Sequence, residues 1–208
     1  MIKLLAIGDS HIPRRAKNIP VQICDMLERS ISNGKFDYTL FTGDVVKAPS
    51  FMNYLKKITK TEVLIVVGNM DYYGGNHNYP VYQHIEISLE TKGNFTVGLT
   101  HGHQINPRGD HAQLETLATD NNYNILISGH THKEDVVLTN NGVLLINPGS
   151  VTGAWSFVAS RNPSIIELIF DEGTGEIDVF LRQYEIRSSK LREKKYSFIF
   201  NNKAIQEY

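Results

Sequence analysis

The chain has 208 residues and is 41% hydrophobic, enough to bury one sizeable core and to make a single domain the first expectation. Its 21 basic and 22 acidic residues nearly cancel, so no global field draws it to nucleic acid or to an anionic membrane. A single cysteine, Cys24, excludes an internal disulfide and suits a reducing compartment.

Residues 2–7 read as a strand, an apolar run too short for a signal-peptide core or a membrane span. A cytoplasmic protein with no direct membrane insertion is therefore expected. Residues 20–32 carry Val21, Cys24, Leu27 and Ile31 at helical spacing and stop before Gly34. Cys24 on that apolar stripe reads as a small buried hydrophobe rather than a reactive thiol. Residues 38–42 read as a strand, and Phe51, Tyr54, Leu55 and Ile58 repeat with a helical period. Residues 62–67 form a nearly continuous β-branched run, of the kind that parallel sheets bury on both faces. Strand–helix–strand–helix–strand predicts a parallel sheet with covering helices.

The second half changes character. Residues 82–89 alternate, Lys92-Gly93-Asn94 turns, and 95–100 returns as an antiparallel partner. A helix over 111–121 carries Leu114, Leu117 and Ala118, and 125–128 is a short buried strand. Residues 135–138 and 143–146 pair across Asn140-Asn141-Gly142, and 164–170 pairs with 177–184 across an acidic, Gly-rich turn. The fold class is α/β, with two mixed β-sheets packed as a sandwich and flanked by helices. After Ile186 the pattern dissolves into Arg187, Lys190, Arg192, Lys194 and Lys195, followed by an aromatic stretch from Tyr196 to Phe200. The expected organisation is a domain over 1–186 and a basic, aromatic C-terminal tail over 187–208.

Four predicted strands end in glycine followed by a metal-competent side chain: Gly8-Asp9 with His11, Gly43-Asp44, Gly68-Asn69, and Gly129-His130 with His132. A fifth ends in His101-Gly102-His103. Open α/β sheets gather ligands at the carboxyl ends of their strands. Carboxylate, amide and imidazole together suit Mn, Zn or Fe better than Ca or Mg. Seven such ligands suffice for two ions when one carboxylate bridges, and an ion pair can clamp a phosphoryl group and activate water.

Asp9-Ser10-His11, Gly43-Asp44, Gly68-Asn69-Met70-Asp71, His101-Gly102-His103 and Gly129-His130-Thr131-His132 resemble the calcineurin-like metallophosphoesterase motifs in family order. The resemblance implies the metallophosphoesterase sandwich fold, shared with generic bacterial phosphodiesterases. It also implies two divalent metal ions. Asp9, His11 and His132 would hold one, Asn69, His101 and His130 the other, and Asp44 would bridge. His103 would stand behind the ligands without a direct bond. The family's proton-donating His is replaced here by Met70, whose thioether carries no transferable proton.

The longer stretches His11-Ile12-Pro13-Arg14-Arg15, Asn78-Tyr79-Pro80, His101-Gly102-His103-Gln104, Pro107-Arg108-Gly109-Asp110 and Asn147-Pro148-Gly149-Ser150 resemble the VPS29 family of retromer subunits. That resemblance implies a cytoplasmic scaffold, held peripherally on endosomal membranes through its complex. It would bind a VPS35-like helical-repeat protein in the retromer assembly and serve sorting from endosomes to the Golgi or plasma membrane. Its metal site would be catalytically weak; the competing reading is an active Mn- or Zn-dependent phosphodiesterase. Ile12, Pro13, Ile105, Pro107 and Trp155, in loops flanking the expected pocket, are the candidate partner contacts. Glu167, within the strand over 164–170, falls where an apolar residue is expected, which counts against the effector-binding function that the resemblance would also imply. His77, His84 and His111 read as surface or capping residues.

Overall fold

The computed structural model describes residues 1–89, 93–201 and 204–208. The chain opens with β1 (Ile2–Ile7), α1 (Val21–Ile31), β2 (Phe36–Phe41), α2 (Pro49–Ile58), β3 (Thr59–Ile65) and the one-turn helix α3 (Asn69–Tyr73). The antiparallel pair β4 (Tyr82–Leu89) and β5 (Gly93–Thr100) follows, then α4 (His111–Asp120), β6 (Ile125–Ile127), β7 (Glu134–Leu138) and β8 (Leu144–Pro148). The chain finishes with β9 (Ser164–Phe170), β10 (Glu176–Glu185), β11 (Lys190–Asn201) and β12 (Ala204–Glu207). The turn expected at Lys92-Gly93-Asn94 includes Lys92, which lies outside the described residues. Among the described residues no helix is long and apolar enough to cross a membrane.

Two mixed sheets pack face to face, as the alternating and continuous apolar runs require. The larger has the order β12-β11-β10-β9-β1-β2-β3 and the smaller β4-β5-β6-β8-β7. β1, β2 and β3 are parallel to one another, as are β5, β6 and β8. Leu4, Ala6, Leu40 and Leu168 from the first sheet meet Val97, Leu99, Ile127 and Leu144 from the second in the main core. The opposite face of the large sheet, Leu5, Ile7 and Phe41, is covered by Ile23 and Leu27 of α1 and Leu55 of α2. Leu114 and Ala118 of α4 cover Leu126 and Leu145 on the outside of the small sheet. All five ligand-bearing loops leave the carboxyl ends of β1, β2, β3, β5 and β6, so the parallel topology delivers them to one end of the sandwich.

Two expectations change. The strand read at 62–67 begins at Thr59 and lies at the sheet edge, with Lys60, Thr61 and Glu62 exposed. Its β-branched run is matched to burial only toward its end, where Leu64, Val66 and Val67 sink into the core. The segment read as a tail is instead sheet. β11 pairs with β10 from Glu176↔Ile199 to Glu185↔Lys190, and β12 pairs with β11. The charges hide the strand because the side chains of Lys190–Lys195 are exposed along β11. Only the aromatic half reaches the core, where the Phe200 ring meets Phe95 edge-on at 4.9 Å.

Glu167 is the charged residue of β9 and is 3% exposed. Lys3 Nζ lies 3.0 Å from its carboxylate, Ser30 Oγ donates to it at 2.9 Å, and Arg182 Nη1 donates to it as well. Arg182 is shared with Glu193 at 2.7 Å. Removing one partner from such a cluster strands the others in low dielectric. Glu167→Ala should therefore cost about 3 kcal/mol in urea unfolding; a cost near zero would show that the cluster behaves as a solvated surface pair.

Candidate metal centre

Five of the seven expected ligands adopt left-handed backbone: Asp9 (φ 51°), His11 (49°), Asp44 (54°), His130 (67°) and His132 (58°). Such φ values are uncommon for residues with a Cβ and concentrate at functional sites, where packing must enforce them. Here the enforcement is visible. The buried Asp71 carboxylate accepts the N–H groups of Val46 at 2.7 Å, Gly68 at 3.1 Å and Val45 at 3.3 Å. In return, Asp44 Oδ1 accepts Met70 N–H at 2.7 Å, which leaves Oδ2 to face the cluster. Two glycines make the approach possible. A Cβ on Gly68 would lie 2.0 Å from Asp44 Oδ1, and one on Gly129 would lie 2.7 Å from Asp9 Oδ2.

The side chains converge in two overlapping groups. In the first, His11 Nε2 lies 2.9 Å from His132 Nε2 and 3.3 Å from Asp44 Oδ2, and His132 Nε2 lies 3.4 Å from Asp9 Oδ1. In the second, His101 Nε2 lies 3.2 Å from both Asn69 Oδ1 and His130 Nδ1, and 3.7 Å from Asp44 Oδ2. Asp44 Oδ2 is the atom common to both. The far nitrogens of two rings are tied to backbone carbonyls, His101 Nδ1 to Thr42 O at 2.7 Å and His132 Nδ1 to Ala154 O at 2.9 Å. With Nδ1 protonated and donating, each ring turns a lone pair on Nε2 into the cluster. His103 is exposed, its ring 5.6 Å from that of His101 and 6.3 Å from that of His130, so it stands beside the group rather than in it.

Around this cluster runs an exposed rim. Trp155 and Phe157 stack edge-on at 5.0 Å and are 47% and 81% exposed. Arg15 donates to Trp155 O at 2.8 Å, and Arg108 lies 5.8 Å over the Phe157 ring. Of the expected partner contacts, Pro13, Pro107 and Trp155 are exposed and Ile12 is half-buried. Ile105 is a correction: at 7% exposure it packs with Leu114, Ala118 and Tyr123, because the loop turns its side chain inward to cover α4. Phe157 and Val158 belong to the rim and were missed; they sit in an Ala-Trp-Ser-Phe-Val run whose exposure no periodicity reveals.

Residues 2–166 match the calcineurin-like phosphoesterase superfamily domain. The chain belongs to that superfamily. A probable metallophosphoesterase of Methanothermobacter thermautotrophicus is 35% identical over 146 residues, which is 70% of this chain and 75% of that relative. Among solved structures, Vacuolar Protein Sorting 29 of Cryptosporidium parvum is similar with a TM-score of 0.80 at 30% identity, covering 96% of this chain and 98% of that one. Wild-type Vps29 of Entamoeba histolytica, solved in complex with zinc, has a TM-score of 0.79 at 28% identity and covers 94% of this chain and 99% of that one.

The residues of this calcineurin-like phosphoesterase domain fit a divalent cation. Asp9, His11, Asp44 and His132 are all buried, with one ligand atom from each within 4.8 Å of the others. Asp9 Oδ1 is buried with no hydrogen-bond donor, although two ring nitrogens lie within 3.7 Å. Buried acceptors aimed at one another without donors between them are repulsive unless a cation occupies the centre. Proton binding follows the same logic. Burial pushes His11 and His130 down to about 3, which keeps them neutral and free to ligate. Burial also pushes Asp44 up to about 6, with neighbouring Asp9 adding to the rise against the pull of His101. At His132 burial is outweighed chiefly by the neighbouring Asp9 charge, so its pKa is raised, and the same pairing holds Asp9 below the usual carboxylate range.

These shifts fix how the metal-free protein responds to acid. His11 and His130 have depressed folded pKa values, so their contribution is complete above about pH 6.5 and is lost as pH falls below it. Below about pH 6 Asp44 opposes them, because the folded state binds its proton first. Two protons taken up by the unfolded chain against one by the folded chain leave a net slope of about 1.4 kcal/mol per pH unit between pH 6 and 4. Chelator-treated protein should show this loss in denaturant titrations, and a flat profile across that range would contradict the assignment of neutral histidines.

Proposed function

We propose that the chain is a VPS29-like scaffold subunit that docks a VPS35-like helical-repeat protein, with a metal-bearing but weakly reactive phosphoesterase site beneath the contact. The observation that carries this reading is the near-complete overlay on VPS29 from two organisms, which extends past residue 166 through the β10–β11 region. The exposed Trp155–Phe157 rim gives such a partner an aromatic anchor of the kind that dominates interface energies. On this reading the protein works in the cytoplasm and reaches endosomal membranes through its complex.

The site would hold two divalent ions. Asp9, His11 and His132 would serve one and Asn69, His101 and His130 the other, with Asp44 common to both. Imidazole, amide and carboxylate ligands favour Mn, Zn or Fe. When bound, such an ion pair supplies Lewis acidity and an activated water to a phosphoryl centre. The chain's own residues contribute aim rather than proton transfer. Asp71 fixes the Asp44 loop, the Thr42 and Ala154 carbonyls orient two rings, and Met70 leaves the general-acid position without a proton.

Purified metal-loaded protein should capture a VPS35-like solenoid in a pull-down, and Trp155→Asp should weaken capture by about 2 kcal/mol or more. Wild-type capture that Trp155→Asp leaves untouched would remove the rim from the interface, and no capture at all would remove the scaffold reading.

The buried ligand set and the probable metallophosphoesterase relative favour a second reading, a Mn- or Zn-dependent phosphodiesterase. An activated diester, bis(p-nitrophenyl) phosphate, discriminates. If the site is reactive but lacks its acid, Mn²⁺-dependent turnover vanishes in Asp44→Ala. On substrates with poorer leaving groups Met70→His should then raise the rate by about 10²-fold. Wild-type rates no faster than Mn²⁺ alone would exclude the enzyme.

A further inference from the structure

The loop that carries His130 and His132 has a second face. Those two rings turn into the metal cluster, but Thr131 between them turns away. Its hydroxyl accepts from Asn147 Nδ2 and from Lys133 N–H, each at 3.1 Å. Behind Thr131, between this loop and α4, lies a cavity of about 260 Å³.

The wall of the cavity is chemically one-sided. Arg108 and Lys133 both line it, and neither is ion-paired among the described residues. The carboxylate on the wall, Asp135, is already engaged with His111 Nε2 at 2.8 Å. Ser128 also lines the cavity, at 4% exposure. The remaining wall, Leu114, Leu145 and Ile146, is apolar.

We propose that this cavity is a binding site for a small phosphate monoester, separate from the metal centre on the opposite face of the same loop. The phosphate lies between Arg108 and Lys133 and receives the Ser128 hydroxyl, and the organic part covers Leu114 and Leu145. Two unpaired cations match a group that carries close to two negative charges at neutral pH better than they match a carboxylate. The volume argues for an organic part. At roughly 30 Å³ per water the space holds several waters, more than a bare anion fills. Cavities of this size fall just below the usual range for small-molecule sites. The proposal does not depend on a solenoid partner or on phosphodiester turnover.

The test separates this cavity from the metal centre, which would also attract phosphate when loaded. Chelator-treated, metal-free protein is titrated with phenyl phosphate by calorimetry. Saturable binding of one molecule per chain is expected, with a Kd of about 1 mM or tighter. Arg108→Ala and Lys133→Ala, both at exposed positions that the fold does not need, should each weaken it by about tenfold. Asp44→Ala should bind as the wild type does. Absence of saturable binding overturns the proposal. So does loss of binding in Asp44→Ala with full binding in Lys133→Ala, which would put the anion at the metal ligands. Inorganic phosphate binding as tightly as phenyl phosphate would overturn the organic half of the assignment.

Discussion

Asp44 and Asp71 hold each other's backbones. The carboxylate of Asp71 gathers three N–H groups from the loops around Asp44 and Gly68, and the carboxylate of Asp44 takes the N–H of Met70 beside Asp71. This reciprocal exchange joins the end of β2 to the end of β3 in a buried setting, where charge-assisted hydrogen bonds are strong. It also spends one oxygen of Asp44 on structure, so that the other is left to point between the two histidine groups. Without that division of labour the shared ligand atom would have no fixed position, and the two groups would not overlap.

The site is a local concentration of strain that the sandwich absorbs. Five residues in left-handed backbone, several unpaired buried acceptors and histidines held neutral by burial all work against stability. They persist because each loop leaves a strand whose register is fixed on both sides by apolar packing. β1, for example, is paired with β2 and β9 and buried from Leu4 onward. A cation would relieve much of the strain at once, which couples metal binding to the rigidity of this end of the fold.

The likeness to VPS29 and the intact ligand set point in different directions only if a metal site must be an enzyme. On the proposed reading Met70 stands where a proton donor would be needed, while all seven expected ligands are present. The nearest exposed features are aromatic and cationic rather than a closed substrate cleft: Trp155, Phe157, Arg15 and Arg108. A metal in such a setting stiffens the loops that present this rim. Glu167 tells a related story on the other side of the large sheet. There Glu167 gathers Lys3, Ser30 and Arg182 into a buried charge cluster inside an otherwise apolar layer.

Much of the fold is legible in the chain because each strand end announces itself. β1, β4 and β9 fall where the periodicity places them, and glycine before Asp9, Asp44, Asn69 and His130 marks the turns that feed the site. The ligands were readable for the same reason: five short motifs in order carry joint information that no single histidine does. β11 was not readable, since its lysines and arginine signal solvent while the pairing that makes it a strand comes from β10. Nor was the inward turn of Ile105, the exposure of Phe157, or the cavity on the reverse of the histidine loop. The sequence by itself determined which side chains could ligate and which strands would carry them, because residue type and hydrophobic period are local properties. Only the tertiary structure decided which oxygen of Asp44 faces the cluster, which loop residues reach solvent and what lies behind Thr131. Those depend on contacts between different loops and strands, and such contacts are set by packing.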